Sequence, residues 1–464
     1  MSIFVLDMDS FEKFIVKNEN ADTVRLVMAR KEWPVPEDSV LAELDAKSLA
    51  VNTIEGRRRL RKKLPEWVAR TELVYPSSLC AEQCSSLDTA WYKASIVMRI
   101  INEYVGTVAS MVGEPVEVAE PKKGKVADLT GGLGVDSWAF SEVAEKVLYN
   151  EMNPALAAAA RHNFKVLGVT NIFIKNSEAT SDSIKDIFGD FRPDVIFLDP
   201  ARRDSAGKKV FLLEDCSPDV LKMLPELFGI SRFIFLKLSP MADITMAVER
   251  LDRTYEEYLE NTSGKGWNGQ WVREVHVVAS GGECKELLIL LDREWNEGYS
   301  LTCREDGKTL TFRPEEIAKA KASYPDSTFA RIIFEPGKSL TKAGVFNAIC
   351  ERFGLVKLAR FTHLYTISEP LSDSELEQRI DPLKDFGKVF YVKEILPLNK
   401  ASMKDVGKRY PHSEVSAKNI PMSSDELRAR LKVKSGDDAH IFGALIETPY
   451  NEDNYLIVTE PSGH

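Results

Sequence analysis

Three acids, each closing a short apolar run, offer chemistry in this sequence. Asp128 follows Val126-Ala127, Glu151 follows Val147-Leu148-Tyr149-Asn150, and Asp199 follows Val195-Ile196-Phe197-Leu198. Just after the first acid comes a glycine-rich turn, Gly131-Gly132-Leu133-Gly134. Such a turn lets backbone approach a ligand closely, and the helix start behind it donates free N–H groups. An acid about 20 residues further on, at the end of the next strand, is placed to take the two hydroxyls of a ribose. Together these residues describe a nucleotide-type pocket with an acidic rim.

The elements that must position them follow from the pattern. Apolar runs of four to six residues are too short for helices and suit strands covered on both faces. The segments between them read as helices, which gives β-α-β-α-β-α-β and an α/β fold with a mostly parallel sheet. Ligands in such sheets sit beyond the carboxyl ends of the strands, where all three acids lie. A further strand is expected at Arg232–Leu238. Two more, Val272–Val278 and Leu287–Leu291, flank Gly281-Gly282 and form an antiparallel hairpin at the sheet edge.

Glycine turn and acid together fit NAD, FAD and S-adenosylmethionine. Two residues separate them. The dinucleotide fingerprint asks for a third glycine where this chain has Ser137. Asp128, just before the first glycine, repels a pyrophosphate but attracts an ammonium. The balance tilts to S-adenosylmethionine.

The stretch Asp128-Leu129-Thr130-Gly131-Gly132-Leu133-Gly134-Val135-Asp136 resembles motif I of class I S-adenosylmethionine-dependent methyltransferases. Asn150-Glu151 is similar to their acidic ribose contact, and Asn176-Ser177-Glu178-Ala179 stands where they read the adenine edge. Leu198-Asp199-Pro200-Ala201-Arg202 resembles their motif IV. The resemblance implies a Rossmann-like sheet and S-adenosylmethionine as cofactor. It implies Asp128, Thr130, Gly131, Gly132, Gly134, Asp136, Glu151, Glu178 and Asp199 as the cofactor contacts. The flanks resemble bacterial methyltransferases with a C-terminal THUMP-like domain, through Glu82–Ala90 and Ser413–Asn419. That resemblance implies RNA binding; composition does not.

Methyl transfer from a sulfonium is an in-line displacement, so the protein chiefly positions and desolvates the partners. Asp199 and the Pro200 carbonyl are the candidate catalytic groups, accepting hydrogens from an attacking amine. The family pattern places an aromatic after the prolines; here Ala201 and Arg202 stand there, which weakens base N-methylation. Cys216 and Cys284 are nucleophile candidates by position alone, and buried structural thiols suit them better. Arg202 and Arg203 are the candidate substrate contacts, through a phosphate, against the plainer reading of a surface salt bridge.

At 464 residues the chain holds several domains. We divide it into a helical N-terminal domain (1–120), a methyltransferase domain (121–294) and an α+β C-terminal region (295–464), THUMP-like near its end. Helices are expected over Ser10–Arg30, Asp38–Lys63 and Ser86–Val112. Six scattered cysteines suggest a reducing cytoplasm, with no disulfide framework and no metal set. No run is long and apolar enough for a membrane span, and the first residues lack a signal-peptide pattern. The net charge of −10 disfavours indiscriminate nucleic-acid binding. Local basic stretches remain: Arg57–Lys63, read as a solvated helix face or a phosphate contact, and Lys384–Lys434. Trp91-Tyr92-Lys93 either covers the pocket mouth or belongs to a helix core. The function expected is methylation of RNA; a small-molecule or protein acceptor, and a non-catalytic binding module of the same fold, are the alternatives.

Overall fold

Capping acids start the first helices. In the computed structural model, which describes residues 9–111, 123–202, 213–263 and 269–461, Asp9 accepts the Glu12 N–H at 2.7 Å and Asp45 that of Ser48 at 2.8 Å. Six helices result: α1 (Ser10–Lys17), α2 (Thr23–Ala29), α3 (Ala46–Leu60), α4 (Pro65–Ala69), α5 (Ser78–Gln83) and α6 (Leu87–Met111). The single helix expected over 10–30 is two, because Asp22 restarts the chain by accepting from Val24 and Arg25. The helix expected from Asp38 begins only at Ala46. Asp38 instead accepts the Val40 N–H and meets His162 at 3.1 Å.

The chain divides into two units, Met1–Arg273 with Ile289–Glu297, and Glu274–Leu288 with Gly298–His464. The helical segment therefore shares one unit with the sheet that follows. Phe11, Phe14, Ile15, Leu49 and Ile54 pack in one cluster with Ala159, a residue of the sheet's own helical layer. Asn163 fixes the same junction by exchanging two hydrogen bonds with the Val74 backbone, at 3.0 and 2.9 Å.

The basic run is built into this layer. Leu60 and Leu64 are fully buried. Arg57, 4% exposed, donates to the carbonyls of Arg70 and Val68. Arg58 donates to the Glu19 and Ala21 carbonyls, Arg59 pairs with Glu82, and Arg61 pairs with Glu19. Arg57 and Arg58 are thus spent on backbone carbonyls, while Arg59, Arg61 and Lys62 stay exposed.

The sheet alternates with helices as the pattern demanded: β1 (Lys125–Asp128), α7 (Val135–Val143), β2 (Lys146–Asn150), α8 (Pro154–Val166), β3 (Ile172–Lys175), α9 (Ile184–Phe188), β4 (Val195–Leu198). A two-residue ladder of β5 (Ala201–Arg202) and β6 (Cys216–Ser217) precedes α10 (Val220–Ile230), β7 (Phe233–Leu238) and α11 (Ile244–Ser263). The five main strands run parallel in the order β7-β4-β1-β2-β3. The strand order reverses between β1 and β4, which opens the crevice where such sheets bind ligands. The core packed against these strands is apolar: Phe197 meets Phe140 and Phe235 edge-on at 5.2 and 5.8 Å.

The hairpin expected around Gly281-Gly282 forms as β8 (Val272–Ser280) and β9 (Glu283–Asp292). Both glycines have positive φ, +59° and +77°, as a two-residue turn of this hand requires. In the second unit β8 also pairs in parallel with β10 (Ser300–Glu305), which carries β11 (Lys308–Phe312) antiparallel. The outermost strand is thus β11 and not the hairpin. The alternation Leu301-Thr302-Cys303-Arg304 hid β10, since its polar members are buried as well.

The rest of that unit is a seven-stranded sheet: β12 (Ile332–Pro336), β13 (Val356–Ala359), β14 (Thr362–Thr366), β15 (Gly387–Pro397), β16 (His412–Lys418), β17 (Lys434–Glu447) and β18 (Glu452–Thr459). Its order is β13-β14-β12-β15-β18-β17-β16. Helices Lys400–Arg409 and Ser424–Leu431 cover one end through Val406, Leu427 and Leu431 against Ile441 and Val458.

Candidate active site

The glycines after β1 are required by what surrounds them. A Cβ on Gly131 would fall 2.1 Å from the Tyr149 ring, and one on Gly134 would fall 2.5 Å from that of Phe164. Those two rings pack edge-on at 5.7 Å and support the turn from below. Gly132 takes φ +53°, donates its N–H to Glu151 Oε2 at 2.9 Å and accepts from Tyr149 Oη at 2.6 Å. Ser137, where a dinucleotide fold has its third glycine, donates its hydroxyl to Asp128 Oδ2 at 2.6 Å. The same residue that spoke against NAD holds the acid in place.

Asp128 is 1% exposed and also accepts the Thr130 N–H at 3.0 Å. Burial first, then the nearby charges of Asp136 and Asp199, push its carboxyl from the ordinary 3.8 up to about 7; the Ser137 and Thr130 hydrogen bonds pull the other way. Asp136 stands in the first turn of α7 with both oxygens engaged. Ser85 donates to Oδ2 at 2.8 Å, and the wholly buried Lys93 ammonium lies 3.2 Å from Oδ1. Lys93 also donates to Ser85. Lys93 is therefore helix core, while Trp91, two residues before it, packs edge-on against Trp138 at 5.7 Å.

Glu151 is 8% exposed, and its second oxygen accepts the Asn153 N–H at 2.8 Å. Asn150 donates to the Leu129 and Ser177 carbonyls, and its buried Oδ1 has no partner among the described residues. A cleft of about 160 Å³ opens over this ground, lined by Thr130, Glu151, Ser177, Glu178, Ala179, Asp199 and Ala201, with Ser217 and Pro218. The cleft wall thus brings together Thr130, Glu151, Glu178 and Asp199, while the buried Asp128 and the glycine turn do not line it and reach it through hydrogen bonds to Thr130 and Glu151. Pro200 is buried behind Asp199. Arg203 and the Arg202 side chain lie outside the described residues. Cys216 is fully buried behind the wall, and burial raises the Cys284 thiol to about 11, so neither thiol is primed as a nucleophile.

One participant escaped the sequence reading. Lys237 on β7 forms an ion pair with Asp199 Oδ2. Its signal was a lone lysine in Phe-Ile-Phe-Leu-Lys-Leu, a strand with every position buried. A cation there needs a carboxylate, and Asp199 is the acid at the matching end of the neighbouring strand.

The chain as a whole has counterparts among known proteins. A crystal structure of a protein from Porphyromonas gingivalis W83, assigned to the methyltransferases, is 27% identical, with each chain covered to 98% and a TM-score of 0.74. The fold is that of a class I methyltransferase. Two Mycobacterium tuberculosis proteins, from strains CDC 1551 and H37Rv, are each 24% identical over 237 residues. Both are named uncharacterized S-adenosylmethionine-dependent methyltransferases. The match takes in 50% of this chain and 56% of theirs, so the chain spans about half the length of these curated relatives. Beyond the methyltransferase fold, residues 333–373 match a ferredoxin-like domain and residues 387–461 a THUMP domain-like family. Among the described residues no group of His, Cys, Asp and Glu could hold a metal, and no helix is long and apolar enough to cross a membrane.

Proposed function

We propose that this chain binds S-adenosylmethionine in the cleft and transfers its methyl group to RNA. The observation that carries the first half is the charge pattern beneath the glycine turn. Asp136 is held by Lys93 and Asp199 by Lys237, whereas Asp128 is met only by hydroxyl and amide donors. An acid with no cation beside it among the described residues suits a ligand ammonium and would repel a pyrophosphate. Glu151 at the end of β2 suits a ribose, and Glu178-Ala179 on the cleft wall suit a base edge. The residues fit the cofactor, which supplies a methyl group activated on a sulfonium. Asp199 and the Pro200 carbonyl would orient the acceptor by taking its hydrogens. Six free thiols fit a reducing cytoplasm.

RNA as the acceptor rests on the THUMP-like match and on one surface. Lys400, Lys404 and Lys408 repeat every four residues along one face of helix Lys400–Arg409, all exposed, with no ion pair among the described residues. Calorimetry with S-adenosylmethionine, an Asp128→Ala variant and NAD as control tests the first half; no heat from S-adenosylmethionine sinks the enzyme reading. Tritiated methyl incorporation into undermodified RNA tests the second. The net charge of −10 favours a second reading, a small-molecule or protein acceptor. A KM insensitive to salt would support that one.

A further inference from the structure

Lys237 stands where an apolar strand should close on another leucine. The register that pairs Leu198 with Leu236 sets Asp199 beside it. An ammonium left 8% exposed is costly unless a carboxylate meets it, and Asp199 Oδ2 does. The Asp199 N–H donates to Thr130 Oγ1 at 2.6 Å, and the Thr130 N–H donates to Asp128 Oδ1 at 3.0 Å. The ion pair is thus tied through Thr130, a residue of the cleft wall, to the buried Asp128 behind it. With its side chain 38% exposed and lining that cleft, Asp199 can be reached by a ligand, whereas Lys237 lies behind it.

We propose that Lys237 is a positioning residue that cancels the Asp199 charge toward a cation bound in the cleft. The site then holds the cofactor's sulfonium no more tightly than the neutral thioether it becomes. This rests on the reading that S-adenosylmethionine occupies the cleft. In the transfer the acceptor's lone pair forms the new bond to the methyl carbon. The carbon–sulfur pair returns to sulfur, and the acceptor's proton leaves to water. One positive charge disappears from the cofactor. A bare carboxylate beside that charge would stabilise the start of the reaction and not its end, which raises the barrier. Paired with Lys237, Asp199 still accepts a hydrogen bond from the acceptor but carries little net charge.

The test is binding alone and needs no acceptor. Dissociation constants for S-adenosylmethionine and S-adenosylhomocysteine are measured by calorimetry on the parent, Lys237→Met, Asp199→Asn and the double variant. In Lys237→Met the ratio of the homocysteine to the methionine constant rises about tenfold, as an unscreened carboxylate favours the cation. In Asp199→Asn it falls below the parent value, and in the double variant it returns close to it. Lys237→Arg keeps the parent ratio. A merely structural lysine would weaken both ligands alike, so an unmoved ratio in Lys237→Met overturns the proposal. Should Lys237→Met fail to fold, Asp199→Asn decides: a ratio that does not fall overturns it. A parent protein that binds neither ligand overturns the reading of the cleft instead.

Discussion

Asp128 pays in stability for its place. Its carboxyl sits near 7 in the fold against about 3.8 in the unfolded chain. Between those values the native state holds a proton that the unfolded state has released, so stability falls as pH rises from about 4 to about 7. The expected outcome is that Asp128→Asn melts several degrees above the parent at pH 8, by on the order of 4 kcal/mol, and level with it near pH 4. Scanning calorimetry at the two pH values checks this. The same proton governs ligand binding. An ammonium needs the carboxylate, so the Kd for S-adenosylmethionine should weaken about tenfold per pH unit below about 7. In Ser137→Ala that midpoint moves upward, because the hydroxyl bond that favours the charged form is gone. Asp128, the glycines and Glu151 were legible because strand ends and turns are local. Ser137 was legible as a missing glycine; that its hydroxyl holds Asp128 is a tertiary fact.

Elements are linked by buried charge. Lys93 of α6 and Asp136 of α7 hold the helical layer against the start of the helix that follows the glycine turn. Removing one partner of a pair this buried leaves the other uncompensated, at a typical cost of about 3–5 kcal/mol. Lys93→Met should therefore lower the melting temperature sharply, and Lys93→Met with Asp136→Asn should restore part of it; thermal denaturation of the three proteins decides. The sequence hid this link. Trp91-Tyr92-Lys93 reads as a pocket cover or as helix core, and nothing local names the partner of Lys93, 43 positions away. Arg57 differs in the opposite sense: read as part of a solvated helix face or a phosphate contact, it is buried, and the Val68 and Arg70 carbonyls take its guanidinium.

At the scale of the whole chain the prediction concerns salt. Replacing Lys400, Lys404 and Lys408 by glutamine should weaken retention of single-stranded RNA and lower the log–log salt slope by about 2. S-adenosylmethionine binding should not change. Filter binding across a salt series, beside calorimetry, reads both, and an unaltered slope removes this face from the interface. Most strands were legible as apolar runs, but β10 and β11 were not. In β10 the polar members of the alternation are buried and in β11 they are exposed, so only the pairing of β10 with β8 and of β11 with β10 reveals them.

The hairpin of β8 and β9 belongs to both units: the first ends at Arg273, resumes at Ile289 and closes at Glu297. Neither unit is an uninterrupted length of polypeptide. For inheritance this means that a single recombination point cannot exchange one unit and leave the other whole. A crossover after Glu297 would carry the hairpin tip away from β10, the strand it pairs with in the second unit. Three crossovers would be needed, after Arg273 and after Leu288, one in each strand of the hairpin, and after Glu297. Lineages that trade the second unit freely are therefore expected to lack this shared hairpin, whereas chains built like this one should pass it on intact.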